Sequence, residues 1–141
     1  MKKIVFVCLG NICRSPMAEF VMKNLTNQFH IESRATSNWE HGNPIHPGTQ
    51  NIFKKHHIPY DETKTSLQIS REDFDYFDLI IGMDSNNMRD LKKMAPPSAK
   101  EKIVPFTNIS VPDPWYTGDF DETYAIIQEG CQNWLERLNN F

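Results

Sequence analysis

Residues 4–16 read Ile4-Val5-Phe6-Val7-Cys8-Leu9-Gly10-Asn11-Ile12-Cys13-Arg14-Ser15-Pro16. The first five form a continuous β-branched and aromatic run, the pattern of a strand buried on both faces in a parallel sheet. A turn follows at Leu9-Gly10-Asn11. Ser15-Pro16 reads as a helix start, Ser suiting the N-cap and Pro the first helical position. Met17, Val21 and Leu25 repeat every four residues with Phe20 beside them, which gives that helix one apolar face. Strand, tight loop and helix in succession is how an α/β sheet begins.

The alternation continues outward. Ile31 to Thr36 is a weaker strand. Residues 37–48 are rich in Asn, Gly and Pro and read as a loop. A helix near Thr49–His57 stops before Pro59, and a short one near Ser70–Phe77 has Ser70 as its cap. Asp78 to Met83 reads as a strand, Ser85 to Met94 as a helix closed by Pro96-Pro97, and Lys102 to Val104 as a last short strand. Thr107 to Gly118, with Pro112 and Pro114, reads as a surface loop. Phe120 to Leu138 carries Tyr124, Ile127, Cys131, Trp134, Leu135 and Leu138 at helical spacing. The economical packing is a three-layer α/β sandwich, a doubly wound, flavodoxin-like domain with a central four-stranded parallel sheet. Ligands of such sheets bind at the carboxyl ends of the strands.

The chain has 141 residues, a length that suits one domain over residues 1–141 and needs no disulfide or metal scaffold to fold. Hydrophobic residues are 39% and charged residues 23%, which excludes a disordered or fibrous protein. Fifteen Lys and Arg against 18 Asp and Glu leave a net charge of −3, which argues against a nucleic-acid partner. Residues 1–70 carry eight basic and five acidic side chains, residues 71–141 seven and 13, so anion chemistry belongs to the first half. Three cysteines, an odd number, fit a reducing compartment. The apolar run Ile4–Leu9 is too short for a secretory leader or for a membrane span of about 20 residues. These features together predict a cytoplasmic protein with no membrane partner.

Cys8 to Ser15 lies where backbone N–H groups and a helix N-terminus converge on an anion. Five residues separate Cys8 from Arg14, enough for the loop to curl with its amides inward. The thiol then sits at the bottom of a cradle and the guanidinium closes the rim. Helix dipole, amides and Arg14 all favour a thiolate, and such surroundings bring thiols from near ~8.5 down to roughly 3.5–7.5. The same cradle fits a tetrahedral dianion gripped bidentately by Arg14. Ser15 is placed to donate its hydroxyl to the sulfur. A lone cysteine at a strand end is usually inert core; here the buried strand, Gly-Asn and Ser-Pro around it argue for chemistry. A Walker-type nucleotide loop is excluded, because its Gly-x-x-x-x-Gly-Lys-Ser/Thr pattern is absent.

Val7 to Pro16 resembles the signature of the low-molecular-weight protein tyrosine phosphatases. The resemblance extends through Ser33–Pro44, Gln68–Asn87 and Asp113–Tyr116, nearly the whole chain. It implies hydrolysis of phosphotyrosine in proteins through a phosphocysteine intermediate, with no metal and no cofactor. Cys8, Arg14 and Asp113 are the expected catalytic residues. Asp113 lies in Val111-Pro112-Asp113-Pro114-Trp115-Tyr116. Alone it reads as a turn residue; the resemblance makes it the acid that protonates the leaving phenol and then the base for water. Flanking prolines limit its swing, and apolar neighbours favour its protonated form. Leu9, Gly10, Asn11, Ile12, Cys13 and Ser15 complete the phosphate site. Trp115 and Tyr116 form one wall for the phenyl ring, Trp39 faces them, and Glu40 tunes preference among phosphopeptides.

The resemblance also implies that Asn11 shapes the loop through hydrogen bonds to Ser15 and Ser33, with Asp84 in a structural role. Lys64 stands where the family usually has a His in that network, and Leu67 where it has an Arg. Cys13 resembles the second cysteine that pairs with the nucleophile under peroxide; the alternative is a small packed residue. Cys8 and Cys13 with His41 and His46 make no familiar zinc spacing. Tyrosine-phosphorylated proteins are the expected partners, a bacterial tyrosine kinase or its target among them, with inorganic phosphate as product. Three rivals remain open. Arsenate reductase on this fold needs relay cysteines, and Cys131 is poorly placed. Phosphoarginine phosphatase would lead one to expect Thr in place of Ile12. A phosphate-binding module without turnover would not need Asp113.

Overall fold

The computed structural model describes residues 1–140. Four strands, β1 (Lys3–Cys8), β2 (His30–Ala35), β3 (Leu79–Gly82) and β4 (Ile103–Pro105), form one sheet in the order β2-β1-β3-β4. All three pairings are parallel, with Cys8 opposite Ala35 and Val7 opposite Gly82. β1 therefore has a neighbour on each side, and its residues Ile4 to Cys8 are buried.

Side chains of a strand alternate between faces, and β1 shows the consequence. Ile4, Phe6 and Cys8 join a core with Met17, Phe20, Phe53, Ile127 and Trp134. These come from α1 (Arg14–Leu25), α2 (Pro47–Lys55) and α6 (Phe120–Asn139). Val5 and Val7 join a second core with Phe74, Phe77, Leu91 and Ile103 on the opposite face. That face is covered by α3 (Arg71–Tyr76) and α4 (Ser85–Met94). The three layers expected from the alternation are present. The chain leaves β1 toward β2 and returns on the other side as β3. The crevice at the carboxyl end of β1 is thus a topological switch point, where ligands bind in this architecture.

Local chemistry explains most boundaries. Ser70 caps α3 with a full capping box, its hydroxyl accepting from Asp73 N–H while Asp73 accepts from Ser70 N–H. Asp84 caps α4 through Asn87 N–H. Gly130 lets α6 pass over Phe106, because a Cβ there would lie 2.3 Å from the ring. Residues Pro97–Lys102, after the predicted Pro96-Pro97 break, form a 3₁₀ turn.

Two local expectations are corrected. Ser15 does not cap α1: the helix begins at Arg14, and Cys13 in the cap position offers no side-chain hydrogen bond. The Ser15 hydroxyl is instead occupied by Asn11 and the Cys8 sulfur. The segment Thr107–Gly118 is not wholly a surface loop. Val111 is buried and its N–H donates to Met83 O, while Pro114–Thr117 form a short helix, α5. Buried Val111 and Pro114, with the bonds of Arg14 to Val111 O and of Thr123 to Pro112 O, anchor the segment.

Candidate active site

The loop between β1 and α1 is held from outside by its carbonyls. Cys8 O accepts from Thr36 N–H at 2.9 Å and Ile12 O from His46 N–H at 2.9 Å. Leu9 O accepts from the Ser37 hydroxyl at 2.8 Å, Gly10 O from Ser66 at 2.7 Å and Cys13 O from Thr49 at 3.3 Å. A trans peptide points the next N–H opposite to each carbonyl, and no cis bond occurs among the described residues. Anchoring the carbonyls outward therefore turns the N–H groups of Gly10, Asn11, Cys13 and Arg14 inward. Asn11 and Ser15 N–H groups point at Cys8 Sγ, at 3.3 and 3.4 Å. Ser15 Oγ lies 3.1 Å from the same sulfur. The uncapped start of α1 leaves its first N–H groups open to an anion.

Asn11 is the interior strut. It holds a positive φ of 57°, unusual for a residue other than glycine. Its Nδ2 donates to Ser15 Oγ at 2.7 Å and Ser33 Oγ at 3.0 Å. Its Oδ1 accepts from Lys64 Nζ at 3.0 Å and Leu67 N–H at 3.1 Å. Ser33 in turn donates to the buried Glu19 at 2.6 Å. Both departures from the family pattern thus feed this network, Lys64 through its ammonium and Leu67 through its backbone.

Arg14 is 2% exposed, and its guanidinium is shared. Nη1 donates to Asp84 Oδ2 at 2.6 Å and to Val111 O at 3.0 Å, and Nη2 to Asp113 Oδ2 at 3.3 Å. Burial opposes its charge, but Cys8, the bond to Asp84 and the charge of Asp113 outweigh burial and raise it above the ordinary arginine value. Asp113 Oδ1 also accepts from Trp115 N–H at 3.0 Å. Burial, then Cys8 and Asp113, push the Cys13 thiol well up. Cys131 is buried on α6, where burial raises its thiol too.

These groups open into a cavity of about 240 Å³ lined by Cys8, the loop to Arg14, Trp39, Glu40, Asp113, Trp115 and Tyr116. Trp39 and Tyr116 are 75% and 76% exposed, so they form a rim instead of a core. Every proposed catalytic and phosphate-site residue lines this cavity or, like Ser15, Ser33 and Asp84, bonds to one that does. Sequence reading did not identify the carbonyl anchors Ser37, Ser66, Thr49 and His46, or Val111 as a partner of Arg14. Each acts through a contact spanning 28 residues or more, which no local pattern records. Among the described residues no group of three or more His, Cys, Asp or Glu is arranged to hold a metal.

Chemically, the arrangement offers a nucleophile beneath inward amides, a cation for a tetrahedral anion and a carboxylic acid across the opening. Comparison with known proteins points to one family. The sequence pattern of the low molecular weight phosphotyrosine protein phosphatases matches residues 3–140. PtpA of Staphylococcus epidermidis, a low molecular weight protein-tyrosine-phosphatase, is 40% identical over 148 residues, covering 98% of this chain and 94% of its own. The crystal structure of SP-PTP, a low molecular weight protein tyrosine phosphatase of Streptococcus pyogenes, superimposes with a TM-score of 0.96 at 61% identity over 98% of this chain and 93% of that one. That of YfkJ from Bacillus subtilis gives 0.91 at 37% identity over 99% and 96%.

Proposed function

The chain belongs to the low molecular weight phosphotyrosine protein phosphatase family, and on that premise we propose that it hydrolyses phosphotyrosine in proteins by way of Cys8, Arg14 and Asp113. The observation that carries the reading is the convergence of Cys8 Sγ, two N–H donors, Arg14 and Asp113 on one aromatic-rimmed cavity.

The Cys8 thiolate attacks phosphorus in line as the phosphorus–phenol oxygen bond breaks. Loop amides and Arg14 hold the equatorial oxygens of a loose transition state. Asp113 gives its proton to the departing phenol oxygen. In the second step Asp113, now a carboxylate, takes a proton from water. The water oxygen attacks phosphorus, the sulfur–phosphorus bond breaks, and thiolate and phosphate separate. The Ser15 hydroxyl, beside the sulfur, stabilises the thiolate as it leaves. Nucleophile, anion holder and acid all belong to the chain itself, so no step calls for a metal.

The resting contacts suit this sequence. Arg14 Nη2 is held by Asp113. A phosphate dianion arriving at Arg14 takes that donor and frees the carboxyl group. The dianion's negative charge then favours a proton on Asp113, the state a general acid requires. Asp84 keeps the other guanidinium nitrogen fixed throughout.

Tyrosine-phosphorylated proteins are the substrates under this reading and inorganic phosphate is the product; a bacterial tyrosine kinase is a fitting substrate. Among the described residues no helix is long and apolar enough to cross a membrane. Three free cysteines fit a reducing compartment such as the cytoplasm. The test is turnover of p-nitrophenyl phosphate with inhibition by vanadate, followed by phosphotyrosine, phosphoarginine and phosphoserine peptides. Preference for phosphotyrosine supports the reading. Binding of phosphate without turnover would leave a binding module, and preference for phosphoarginine would move the chain to that substrate class.

A further inference from the structure

The acid-rich half of the chain gathers its positive charge in one place. Residues 85–102 hold five of the seven Lys and Arg found in residues 71–141, against two carboxylates, Asp90 and Glu101. Lys102 is spent on structure, its ammonium donating to Phe74 O and Asp75 O. The other four, Arg89, Lys92, Lys93 and Lys100, are exposed. Among the described residues none of the four takes part in an ion pair.

These cations share one surface. Ser85, Met88, Arg89, Lys92 and Lys93 stand at i, i+3, i+4, i+7 and i+8, a single stripe of α4. Lys100 joins them from the turn Pro97–Lys102. Together they line a surface hollow of about 560 Å³, and no carboxylate lines it among the described residues. Lys92 and Lys93, in the last turn, also complement the α4 dipole. That accounts for neither Arg89, in mid-helix, nor Lys100, on another element.

The basic hollow is continuous with the active site. A hollow of about 440 Å³ lies between them, sharing Leu9, Arg14, Asp113 and Tyr116 with the catalytic cavity and Arg89 with the basic one. Charge is nearly balanced there. Asp84 and Asp113 bond to Arg14, and Asp90 is the remaining carboxylate beside Arg89. The amides of Asn86 and Asn87 also line it, groups that suit a peptide backbone. Glu40, beside Trp39, lines the catalytic cavity but not this one. An acidic chain leaving the cavity is thus repelled at Glu40 and attracted toward α4.

We propose that the basic stripe of α4, with Lys100, is a docking surface for acidic side chains of the phosphoprotein substrate. The inference rests on the reading of the chain as a phosphotyrosine phosphatase and adds the sequence context of its substrate. Asp84 caps α4 beside Arg14, and Arg89 and Lys93 follow five and nine residues later. At about 1.5 Å per residue these lie roughly 7 and 13 Å along the helix. An extended peptide covers about 3.3 Å per residue, so side chains about two to four residues from the phosphotyrosine come level with them. Phosphotyrosines with Asp or Glu at that distance on one side are the preferred class. A net charge of −3 disfavours a nucleic acid or an anionic membrane, whose field meets the whole molecule, whereas a short acidic segment meets the stripe alone.

The test compares kcat/KM on phosphotyrosine peptides that carry Glu or Gln at the three positions two to four residues from the phosphotyrosine. One pair carries them on the N-terminal side and a second pair on the C-terminal side. In the wild type at low salt, the Glu peptide of one pair should exceed its Gln partner about tenfold, mostly through KM, the scale of a few exposed ion pairs. In about 0.5 M salt the ratio should shrink to about twofold. The variant Arg89→Gln/Lys92→Gln/Lys93→Gln/Lys100→Gln should lose the preference. Its kcat/KM for p-nitrophenyl phosphate should stay within about twofold, because that substrate ends inside the catalytic cavity. Charge reversal by Lys92→Glu with Lys93→Glu should make a Lys-flanked peptide outrun the Glu-flanked one.

Equal rates for Glu and Gln peptides in both wild-type pairs overturn the proposal. So does a preference that survives the four substitutions to Gln, since its source then lies elsewhere. If equal rates come with binding to phosphatidylserine vesicles or to DNA that the substitutions abolish, the stripe serves that polyanion and not the substrate. A failure of the phosphatase reading looks different: p-nitrophenyl phosphate and every phosphotyrosine peptide then go unhydrolysed. In that case the affinities of the same peptides for Cys8→Ser judge the stripe by the same ratios.

Discussion

The two loops that meet at the cavity are held in opposite ways. Residues 8–14 are fastened by five of their own carbonyls to Thr36, Ser37, Ser66, His46 and Thr49, with Asn11 bracing the interior. The segment around Asp113 hangs from few points. Val111 N–H reaches Met83 O, Thr123 Oγ1 donates to Pro112 O at 3.3 Å, and Asp113 bonds to Arg14. The anion cradle is thus formed before any ligand arrives, whereas the acid rests on the same guanidinium that the ligand will claim. Under the proposed mechanism the difference couples binding to proton delivery through Arg14, since an anion in the cradle would take the donor that Asp113 now holds.

That contrast can be broken from either side. Cys8→Ser should lower turnover by roughly 10⁴ or more while phosphate affinity stays close to the wild type. A near-normal rate would remove the covalent mechanism. Asp113→Asn should cost roughly 10²–10⁴ in kcat, most for aryl phosphates with poor leaving groups and least for p-nitrophenyl phosphate. A loss equal across leaving groups would show that Asp113 is not the acid. Asp84→Ala leaves the buried Arg14 charge short of a partner. Phosphate binding and kcat/KM should fall by roughly 10–100-fold, while the dependence on leaving group remains that of the wild type. If that dependence steepens as it does in Asp113→Asn, the two roles are not separate. Smallest of all, Ser66→Ala removes one outward anchor, and a drop of about two- to tenfold in kcat/KM is expected, the scale of one neutral hydrogen bond. No measurable effect would show that the remaining four anchors suffice.

The fold was legible because its signals are local. The run Ile4–Cys8, the cap at Ser70 and the spacing of Ile127, Cys131 and Trp134 each follow from neighbours within a few residues. Cys8, Arg14 and Asp113 were legible because their types and spacing are those of a known family. Ser15 was misplaced as a cap although its contacts with the Cys8 sulfur and Asn11 were expected, because one hydroxyl cannot serve the loop interior and also cap the helix. The departure at Lys64 was visible in the sequence, but its consequence was not. Its ammonium reaches Asn11 across 53 residues, and no periodicity encodes that contact. The backbone bonds of Val111 to Met83, just after β3, and to Arg14 are likewise contacts that the local sequence does not record.

The central claim is that the Cys8 sulfur, beneath the Asn11 and Ser15 N–H groups and in one cavity with Arg14 and Asp113, is the atom that takes the phosphoryl group. Its most direct test is rapid quenching of the wild type during turnover of p-nitrophenyl phosphate, followed by mass analysis of the peptide that carries Cys8. We expect that peptide to be heavier by one phosphoryl group, and the increase to be absent from Cys8→Ser. Turnover with no phosphoryl group on Cys8 would contradict the account.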